Sequence, residues 1–115
     1  MDERIEKWLY DIRQSIDEVN SYFEEEEKNF KAYQKNIILK RAVERNLEII
    51  GEAVKRILQK DSAYETKIRS AKNIVGLRNQ IIHAYDSISD ENIWAVLINH
   101  LPKLNEDVDK LLAEK

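Results

Sequence analysis

The sequence predicts an all-α protein that folds as an up-and-down antiparallel four-helix bundle, with room for a short fifth helix. Its 115 residues include only two glycines and one proline, and 36% of them are charged against 43% hydrophobic. Apolar residues also recur at three- and four-residue steps, the spacing of one helix face. A β-sandwich or barrel needs a turn roughly every dozen residues, and this chain has too little glycine and proline for that. The length matches one domain over residues 1–115.

The first helix is predicted from about residue 2 into the low twenties, because apolar side chains there line one face. Four glutamates at residues 24–27 follow and indicate a solvated helix end. A connection is therefore expected around residues 26–32. The apolar positions of this first helix are Ile5, Trp8, Leu9, Ile12, Ile16, Val19 and Phe23.

The second helix is predicted to be the longest, over about residues 33–60. Its apolar residues cover more than a narrow stripe, so contacts with neighbours on two sides are expected. Gly51 lies inside this pattern, where it costs roughly 1 kcal/mol of helix stability relative to alanine. A glycine at such a position indicates close backbone approach by another helix. Asp61 and Ser62 are predicted to end the helix.

The third helix is predicted to begin between residues 64 and 71 and to end near residue 84 or 85. Ser89 is a suitable N-cap for the fourth helix, with acidic residues following in its first turn. Pro102 lies in the middle of that fourth apolar pattern and removes a backbone donor. A kink or break is therefore expected near Asn99.

The net charge of −3 conceals an uneven distribution. Residues 1–27 carry 10 acidic and 3 basic residues, residues 28–78 carry 5 and 13, and residues 79–115 carry 7 and 3. A charge run is usually a solvated helix face, but the basic middle third leaves binding to a polyanion open.

Composition also bears on compartment and chemistry. The absence of cysteine excludes thiol catalysis and cysteine-ligated zinc, and it fits a reducing compartment. The sequence starts with acidic residues rather than with the apolar run of a secretion signal. Its longest stretch without Asp, Glu, Lys or Arg is residues 92–102, whereas a membrane-spanning helix needs about 20 apolar residues. We expect a cytoplasmic protein without a membrane segment.

Arg78 has an unusual position on the third helix. At about 100° per residue, its side chain projects from the middle of the apolar face. A guanidinium cannot lose its charge, so burial requires an anionic or well hydrogen-bonded partner. The simplest interpretation is an ion pair with a carboxylate on another helix, for instance Glu44, Glu48 or Glu52.

Asn79 and His83 lie at about 100° and 140° from Arg78, at the margin of the apolar face. Gly76 is close to their direction and leaves room for something to approach the backbone. The five-residue step between Arg78 and His83 is too wide for a pair on one face, although a long arginine can swing across Asn79. Ordinary roles are also open, because a histidine near a helix C-terminus interacts favourably with the dipole and Tyr85 can be a core ring.

Taken together, these residues resemble the signature of the HepT-like group of HEPN-domain proteins. That signature is an Arg, four residues, a His, one residue and a Tyr, and residues 78–85 read RNQIIHAY. Residues 41–53, RAVERNLEIIGEA, resemble the second helix of the family, and Trp94 with LPKL at residues 101–104 resembles its last helix. An Arg-x4-His pattern alone would be weak, but the likeness covers most of residues 33–105 in the right order.

The resemblance implies a homodimer that acts as a metal-independent endoribonuclease on an RNA such as tRNA or mRNA, usually as the toxin of a toxin–antitoxin pair. It implies no cofactor. It assigns catalysis to Arg78 and His83, with Asn79 in support. It also implies a partner, an MNT-type nucleotidyltransferase antitoxin that neutralises the toxin by AMPylation of Tyr85.

The chemistry of these residues is compatible with cleavage. Metal-free cleavage requires a base for the 2′-hydroxyl, an acid for the leaving oxygen and a cation at phosphorus. His83 can serve as acid or base, and Arg78 can hold a phosphate by two hydrogen bonds. Cleavage needs two proton transfers, one from the 2′-hydroxyl and one to the leaving oxygen, but each chain supplies only one histidine at this site. We therefore expect the active site to exist only in a dimer that apposes two third helices.

The basic second helix supplies candidate contacts to the RNA backbone. Metal catalysis is not expected, because no His-x3-His or Glu-x-x-His pattern lies on one helix. A phosphate-cradling glycine loop is not expected either. His100 has no polar companion pattern, and no role is assigned to it. The RNA-binding candidates are Lys40, Arg41 and Arg45, with Lys35, Lys55 and Arg56 further along the same block.

Two other functions remain open. The chain could be a non-catalytic HEPN-type scaffold that binds a nucleotide or a protein, with Arg78 and His83 holding the nucleotide or stabilising the dimer. It could also be a plain helical adaptor, in which case substitution of either residue would affect stability alone. Growth of cells that express the protein distinguishes these functions. If the parent protein is toxic while folded Arg78→Ala and His83→Ala variants are harmless, the nuclease is favoured.

Overall fold

A computed structural model describes residues 1–24 and 28–115, except for the side chain of Tyr85. Within these residues the secondary structure is helical and contains no strand, so the predicted all-α class is confirmed. The helices are α1 (Glu3–Ser21), α2 (Phe30–Lys35), α3 (Ile37–Lys60), α4 (Tyr64–Lys67), α5 (Ala71–His83), α6 (Asp90–Asn99) and α7 (Leu101–Ala113), with a 3₁₀ helix at Tyr85–Ser87.

The four long columns of the bundle surround one core. Helix α3 packs between α1 and α5, α6 packs on α5, and α7 packs on α1. Since α6 and α7 follow one another as the fourth column, this order confirms the up-and-down bundle that short links predict. No helix in the described part of the chain is both long and apolar enough to span a bilayer. Fully buried core side chains include Leu9, Ile12, Ile16, Tyr33, Ile50, Ile57, Ile68, Ile93 and Leu104.

Helix α1 begins and ends where the sequence predicts. Asp2 is its N-cap, because the Asp2 carboxylate accepts hydrogen bonds from the backbone N–H groups of Arg4 (2.8 Å) and Ile5 (3.2 Å). The connection expected around residues 26–32 is partly wrong, since α2 already begins at Phe30. Residues 25–27, which include part of the glutamate block, lie outside the described residues.

The predicted second helix is divided at Asn36. This residue has extended backbone angles, with φ of −103° and ψ of 95°, and its side-chain oxygen accepts a hydrogen bond from the backbone N–H of Leu39 at 3.1 Å. Asn36 therefore ends α2 and caps α3, so the predicted continuous helix from residue 33 is wrong. The predicted end is confirmed, because α3 finishes at Lys60 with Asp61 as its C-cap.

The predicted third helix is preceded by a short one, α4. Its main part, α5, begins at Ala71 and ends at His83, with Ala84 as the C-cap. Both bounds agree with the predicted limits. The structure has two additional short α-helices, α2 and α4, whereas the sequence predicted at most one.

The fourth column is broken as predicted. Ser89 caps α6 by accepting a hydrogen bond from the Asn92 N–H at 3.1 Å, and α6 ends at Asn99. Helix α7 starts immediately after His100. Pro102 lies in the first turn of α7. Backbone N–H groups in a first turn have no intrahelical acceptor, so the N–H that proline lacks costs the helix no hydrogen bond.

An aromatic cluster joins the end of α1, the short helix α2 and α6. Trp94 on α6 is surrounded by Phe23, Phe30 and Tyr33, whose ring centroids lie 6.2, 5.7 and 5.2 Å from its own. Tyr33 is fully buried, and its hydroxyl has no hydrogen-bond partner among the described residues. Burial raises the pKa of Tyr33 above its ordinary value. The cluster fixes α2 against the bundle.

An ionic contact between the half-exposed Arg69 and the buried Asp107 carboxylate joins the start of α5 to α7. Asp107 on α7 accepts hydrogen bonds from the backbone N–H of Arg69 at 2.9 Å and from Arg69 Nε at 3.0 Å. The exposed Glu106 accepts from Arg69 Nη2 at 2.9 Å. Beside this contact, Ser70 Oγ lies 2.9 Å from His100 Nδ1, so the histidine at the α6–α7 break has a local hydrogen bond.

Candidate active site on the fifth helix

Arg78 lies on the side of α5 that faces α3, as its spacing predicts. Its side chain is 13% exposed, and Nη2 lies 2.5 Å from Glu52 Oε2. On the other side of the guanidinium, Nη1 donates to Asn79 Oδ1 at 3.0 Å. The anionic partner that a half-buried arginine requires is thus Glu52, one of three candidates that the sequence left open.

The other two candidate glutamates have different partners. Glu44 accepts from Arg41 Nη1 at 2.8 Å, and Glu48 lies 3.3 Å from Arg45 Nη1. Each of these pairs joins residues three apart on α3. Only Glu52 points its carboxylate across to α5.

Glu52 connects two arginines. Its Oε1 accepts from Arg56 Nε at 3.1 Å, while its Oε2 forms the close contact with Arg78. That second contact is not aligned as a hydrogen bond, since Glu52 Oε2 and Arg78 Nε are both buried without a hydrogen-bond partner among the residues described.

Gly51 explains why α3 and α5 meet so closely at Arg78. A methyl group built on Gly51 would lie 2.8 Å from Arg78 Cγ and 3.2 Å from the backbone oxygen of Ile74. The predicted close approach at this glycine is therefore confirmed. It places the root of the Arg78 side chain directly on the backbone of α3.

His83 occupies a different face of the same helix. It is exposed, it is the last residue of α5, and its side chain has no hydrogen bond or ion pair with the described residues. Asn79 and Gly76 are exposed as well, and a methyl group built on Gly76 would have no neighbour within 4 Å. Within this chain Arg78 and His83 therefore lie on different faces of α5, and the described residues leave the His83 face open.

A surface groove of about 520 Å³ runs between α1, α3 and α5, beside the Arg78 side chain. Its walls carry four basic and four acidic side chains, so the groove as a whole is not a cationic surface. His83 does not line it. The charged lining residues are Lys7, Asp11, Glu18, Arg45, Glu48, Glu52, Arg56 and Arg78.

The sequence did not assign any residue of α1 to this region. Trp8, Gln14 and Ser15 all line the groove, and Ser15 is buried. The sequence feature that could have indicated this groove is Ser15, a small polar residue next to Ile16 on the apolar face of α1.

The three predicted RNA-binding residues are placed differently. Lys40 is 18% exposed and pairs with Asp90 at 3.1 Å, which joins α3 to α6. The Arg45 side chain is 68% exposed and the Arg41 side chain is 50% exposed. The two arginines project from α3 into solvent, whereas Lys40 is held within the protein.

The remaining predicted site residue, Tyr85, begins the 3₁₀ helix that follows α5. Its side chain lies outside the described part of the structure, so only its position two residues after His83 is established. Among the described residues, no group of three or more His, Asp or Glu side chains is arranged to hold a metal ion.

Comparison with known proteins shows which family this chain belongs to. The sequence signature described as "Ribonuclease HepT-like" matches residues 12–111. The chain belongs to the HepT-like ribonuclease family. The resemblance that residues 33–105 indicated is thus confirmed, and it extends to α1 and most of α7.

Curated relatives agree with this HepT-like assignment. A protein of Caldanaerobacter subterraneus subsp. tengcongensis, named as a candidate RNase, is 33% identical over 87 residues, which cover 76% of this chain and 77% of the relative. Two Methanocaldococcus jannaschii proteins with the same kind of name are 29% identical over 110 residues and 32% identical over 105 residues. These alignments cover 96% and 91% of this chain and 88% and 94% of the relatives. No solved structure matches the chain at a significant level.

Proposed function

We propose that this HepT-like protein is an endoribonuclease that cleaves RNA without a metal ion, in a site that two copies of the chain form together. The observation that carries the proposal is the separation of Arg78 and His83. They lie on one helix but face different directions, and the His83 face is open at Gly76. Apposition of two α5 helices along that face would supply two histidines and two arginines to one cleft. The HepT-like ribonuclease family supports the assignment of RNA as substrate.

The cleavage step needs no group beyond these side chains and the RNA. One His83 takes the proton of a 2′-hydroxyl, and the resulting oxygen attacks phosphorus. The bond from phosphorus to the 5′-oxygen breaks, and a second His83 donates a proton to that leaving oxygen. A 2′,3′-cyclic phosphate and a 5′-hydroxyl result. Arg78 stabilises the charge that develops on the phosphate oxygens, with Asn79 holding its guanidinium.

RNA reaches this site along the exposed arginines of α3 in the proposed complex. Arg41 and Arg45 carry the phosphate contacts, since both side chains project into solvent. Binding should then weaken as salt concentration rises, because phosphate contacts release counterions. All three cations have a carboxylate partner, but Lys40 contributes less because it is only 18% exposed and its ammonium is held between α3 and α6 by Asp90.

The proposed biological role is the toxin of a toxin–antitoxin pair, with an MNT-type nucleotidyltransferase as the antitoxin. Transfer of AMP to the Tyr85 hydroxyl would add bulk and negative charge two residues from His83. Both effects would oppose binding of an RNA phosphate. Co-expression with the nucleotidyltransferase should increase the protein mass by one or more AMP units. The same increase in Tyr85→Phe would contradict modification at this residue.

The cleavage test uses purified protein and total RNA in the presence of a metal chelator. His83→Ala should lower the cleavage rate by about 10²–10⁴-fold, the usual contribution of a general acid or base. Arg78→Ala should also lose cleavage, and both variants must keep the helical circular dichroism of the parent. Wild-type cleavage by His83→Ala, or cleavage that requires added metal, would overturn the proposal.

The shared site has a separate test. A variant that is verified to be monomeric and helical should not cleave RNA, so full activity in such a monomer would exclude a composite site. Because the mechanism uses both histidines, a verified heterodimer of one parent chain and one His83→Ala chain should be about as inactive as the His83→Ala homodimer. A heterodimer that keeps about half of the parent activity would show that each chain has its own site.

A non-catalytic scaffold is the second candidate function. The Arg78–Glu52 pair favours it, because a guanidinium with a carboxylate partner can serve structure alone. This alternative predicts that purified protein leaves total RNA intact. It also predicts that Arg78→Ala lowers the stability of the protein, while neither the parent nor the variant cleaves RNA.

A further inference from the structure

We propose that Glu52 is a positioning residue for RNA cleavage, which acts by orienting the Arg78 guanidinium for the substrate phosphate. This inference rests on the proposed function and adds to it a residue outside the Arg-x4-His-x-Tyr motif. Glu52 itself does not touch the phosphate. Its effect on the reaction passes through Arg78.

The geometry around Arg78 restrains both ends of its guanidinium. Nη2 contacts the Glu52 carboxylate on α3, and Nη1 donates to the Asn79 side chain on α5. The root of the side chain is restrained too, because Gly51 lets α3 lie against Arg78 Cγ. A planar cation held at its root and at both nitrogens presents one orientation to a phosphate, so little order has to be gained on binding.

The charge balance leaves Arg78 able to bind an anion. Glu52 is shared between Arg56 and Arg78, and these three side chains together carry one net positive charge. A carboxylate that paired with Arg78 alone would neutralise the charge of its guanidinium. Shared with Arg56, the same carboxylate orients Arg78 and still leaves an excess positive charge beside it.

The other glutamates of α3 do not have this geometry. Glu44 and Glu48 pair with arginines on their own helix and make no ion pair with α5. A suitable control lies instead on the opposite wall of the groove. Asp11 on α1 is 38% exposed and paired with Lys7, while Glu52 is 34% exposed. Asp11 thus matches Glu52 in charge, exposure and ion pairing, but it does not contact Arg78.

The test is a double-mutant cycle with Glu52→Ala and Arg78→Lys, measured as kcat/KM for RNA cleavage. Glu52→Ala should lower kcat/KM at least about tenfold in the parent, mainly through kcat, since misplaced catalytic groups lose rate rather than affinity. It should change kcat/KM less than about twofold in the Arg78→Lys background, because the residue it orients is already altered. Glu52→Gln, which keeps an acceptor, should recover part of the loss, and Asp11→Ala should match the parent.

The outcomes separate this inference from the proposed function. Full cleavage by folded Arg78→Ala would overturn both. Loss of cleavage in Arg78→Ala, with Glu52→Ala equal to Asp11→Ala, would overturn the positioning role alone. An equal loss from Glu52→Ala in both backgrounds would also overturn it, because that result indicates damage unrelated to Arg78.

Two measurements keep the test decisive if a variant is weak. Circular dichroism and urea unfolding show whether Glu52→Ala folds, and Glu52→Gln replaces it in the cycle if it does not. If Arg78→Lys cleaves too slowly for steady-state kinetics, the cycle uses the single-turnover cleavage rate with protein in excess over RNA, which can be followed for much slower reactions. Additive losses of this rate in the four proteins would contradict the positioning role, and non-additive losses would support it.

Discussion

Gly51 on α3 lies against Arg78 on α5, so closely that a methyl group on the glycine would come within 2.8 Å of Arg78 Cγ. Glu52, the next residue, forms the ion pair with the same arginine. Two consecutive residues of α3 thus determine the position of Arg78: Gly51 contacts the base of its side chain, and Glu52 pairs with its guanidinium. The crossing of the two helices and the geometry of the candidate site depend on the same contact.

The two glycines should respond oppositely to alanine. Gly51→Ala should lower the free energy of unfolding by about 1–3 kcal/mol, because the added methyl group forces α5 away from α3. Gly76→Ala, where a single chain leaves the space open, should raise it by up to about 1 kcal/mol through better helix propensity at a protein concentration low enough to keep the chain monomeric. Urea unfolding at one fixed protein concentration measures both. A Gly51→Ala protein as stable as the parent would contradict the close packing.

The Asp107 contact should be important for stability. Asp107→Ala removes the buried carboxylate that accepts from the Arg69 N–H and Nε, and it should cost about 2–3 kcal/mol. Glu106→Ala removes an exposed partner of the same arginine and should change stability by less than about 0.5 kcal/mol. Thermal unfolding of both variants makes the comparison. Similar losses in the two variants would show that burial is not what makes Asp107 important.

The start of α1 should be sensitive to acid. Hydrogen bonds from the backbone N–H groups of Ile5 and Arg4 hold the pKa of Asp2 below its ordinary value. The folded state then binds fewer protons than the unfolded state, so the stabilising effect of Asp2 is complete above the unfolded pKa of about 3.9. It is lost as the pH falls through the lower folded pKa.

Asp2→Asn keeps a capping side chain that does not titrate, so its stability should not show this acid-dependent loss. The measurement is the difference in unfolding free energy between parent and Asp2→Asn from pH 7 to pH 2. A difference that stays constant over this range would contradict the lowered pKa of Asp2 in the folded protein. Titration of the Asp2 carboxyl by NMR gives the folded pKa directly.

Lys40 and Arg45 should separate stability from RNA binding. Lys40→Ala breaks the partly buried pair between α3 and α6, so it should lower the melting temperature. Arg45→Ala removes an exposed cation, so it should weaken RNA binding and reduce the slope of affinity against salt by about one counterion. Melting curves and salt-dependent binding to one RNA distinguish the two. The opposite pattern would place the RNA path on the Lys40 side.

Most helix limits could be predicted from the sequence because local signals set them. Asp2, Ser89 and Pro102 mark helix starts through hydrogen bonds or backbone limits of adjacent residues. The break at Asn36 was missed for a physical reason. Apolar residues continue on both sides of it, and only the side-chain hydrogen bond to Leu39 shows that Asn36 acts as a cap. Asparagine at that point was the available signal.

The candidate site was predictable in composition but not in pairing. The periodicity placed Arg78 in the middle of the packed face and His83 at the margin of that face. In the structure Arg78 packs against α3 and His83 is exposed. Glu44, Glu48 and Glu52 are one turn apart, so the sequence could not select the partner of Arg78. That choice depends on how far α5 slides along α3, which the contact at Gly51 determines.

The aromatic cluster around Trp94 has an optical consequence. The two tryptophans lie in separate environments, since Trp8 lines the groove beside α5 while Trp94 is packed by Phe23, Phe30 and Tyr33. Their fluorescence therefore reports on different places. In a Trp8→Phe protein the remaining emission would follow the docking of α2, and in a Trp94→Phe protein it would follow events in the groove. The chain thus carries an intrinsic probe for each region without an added dye.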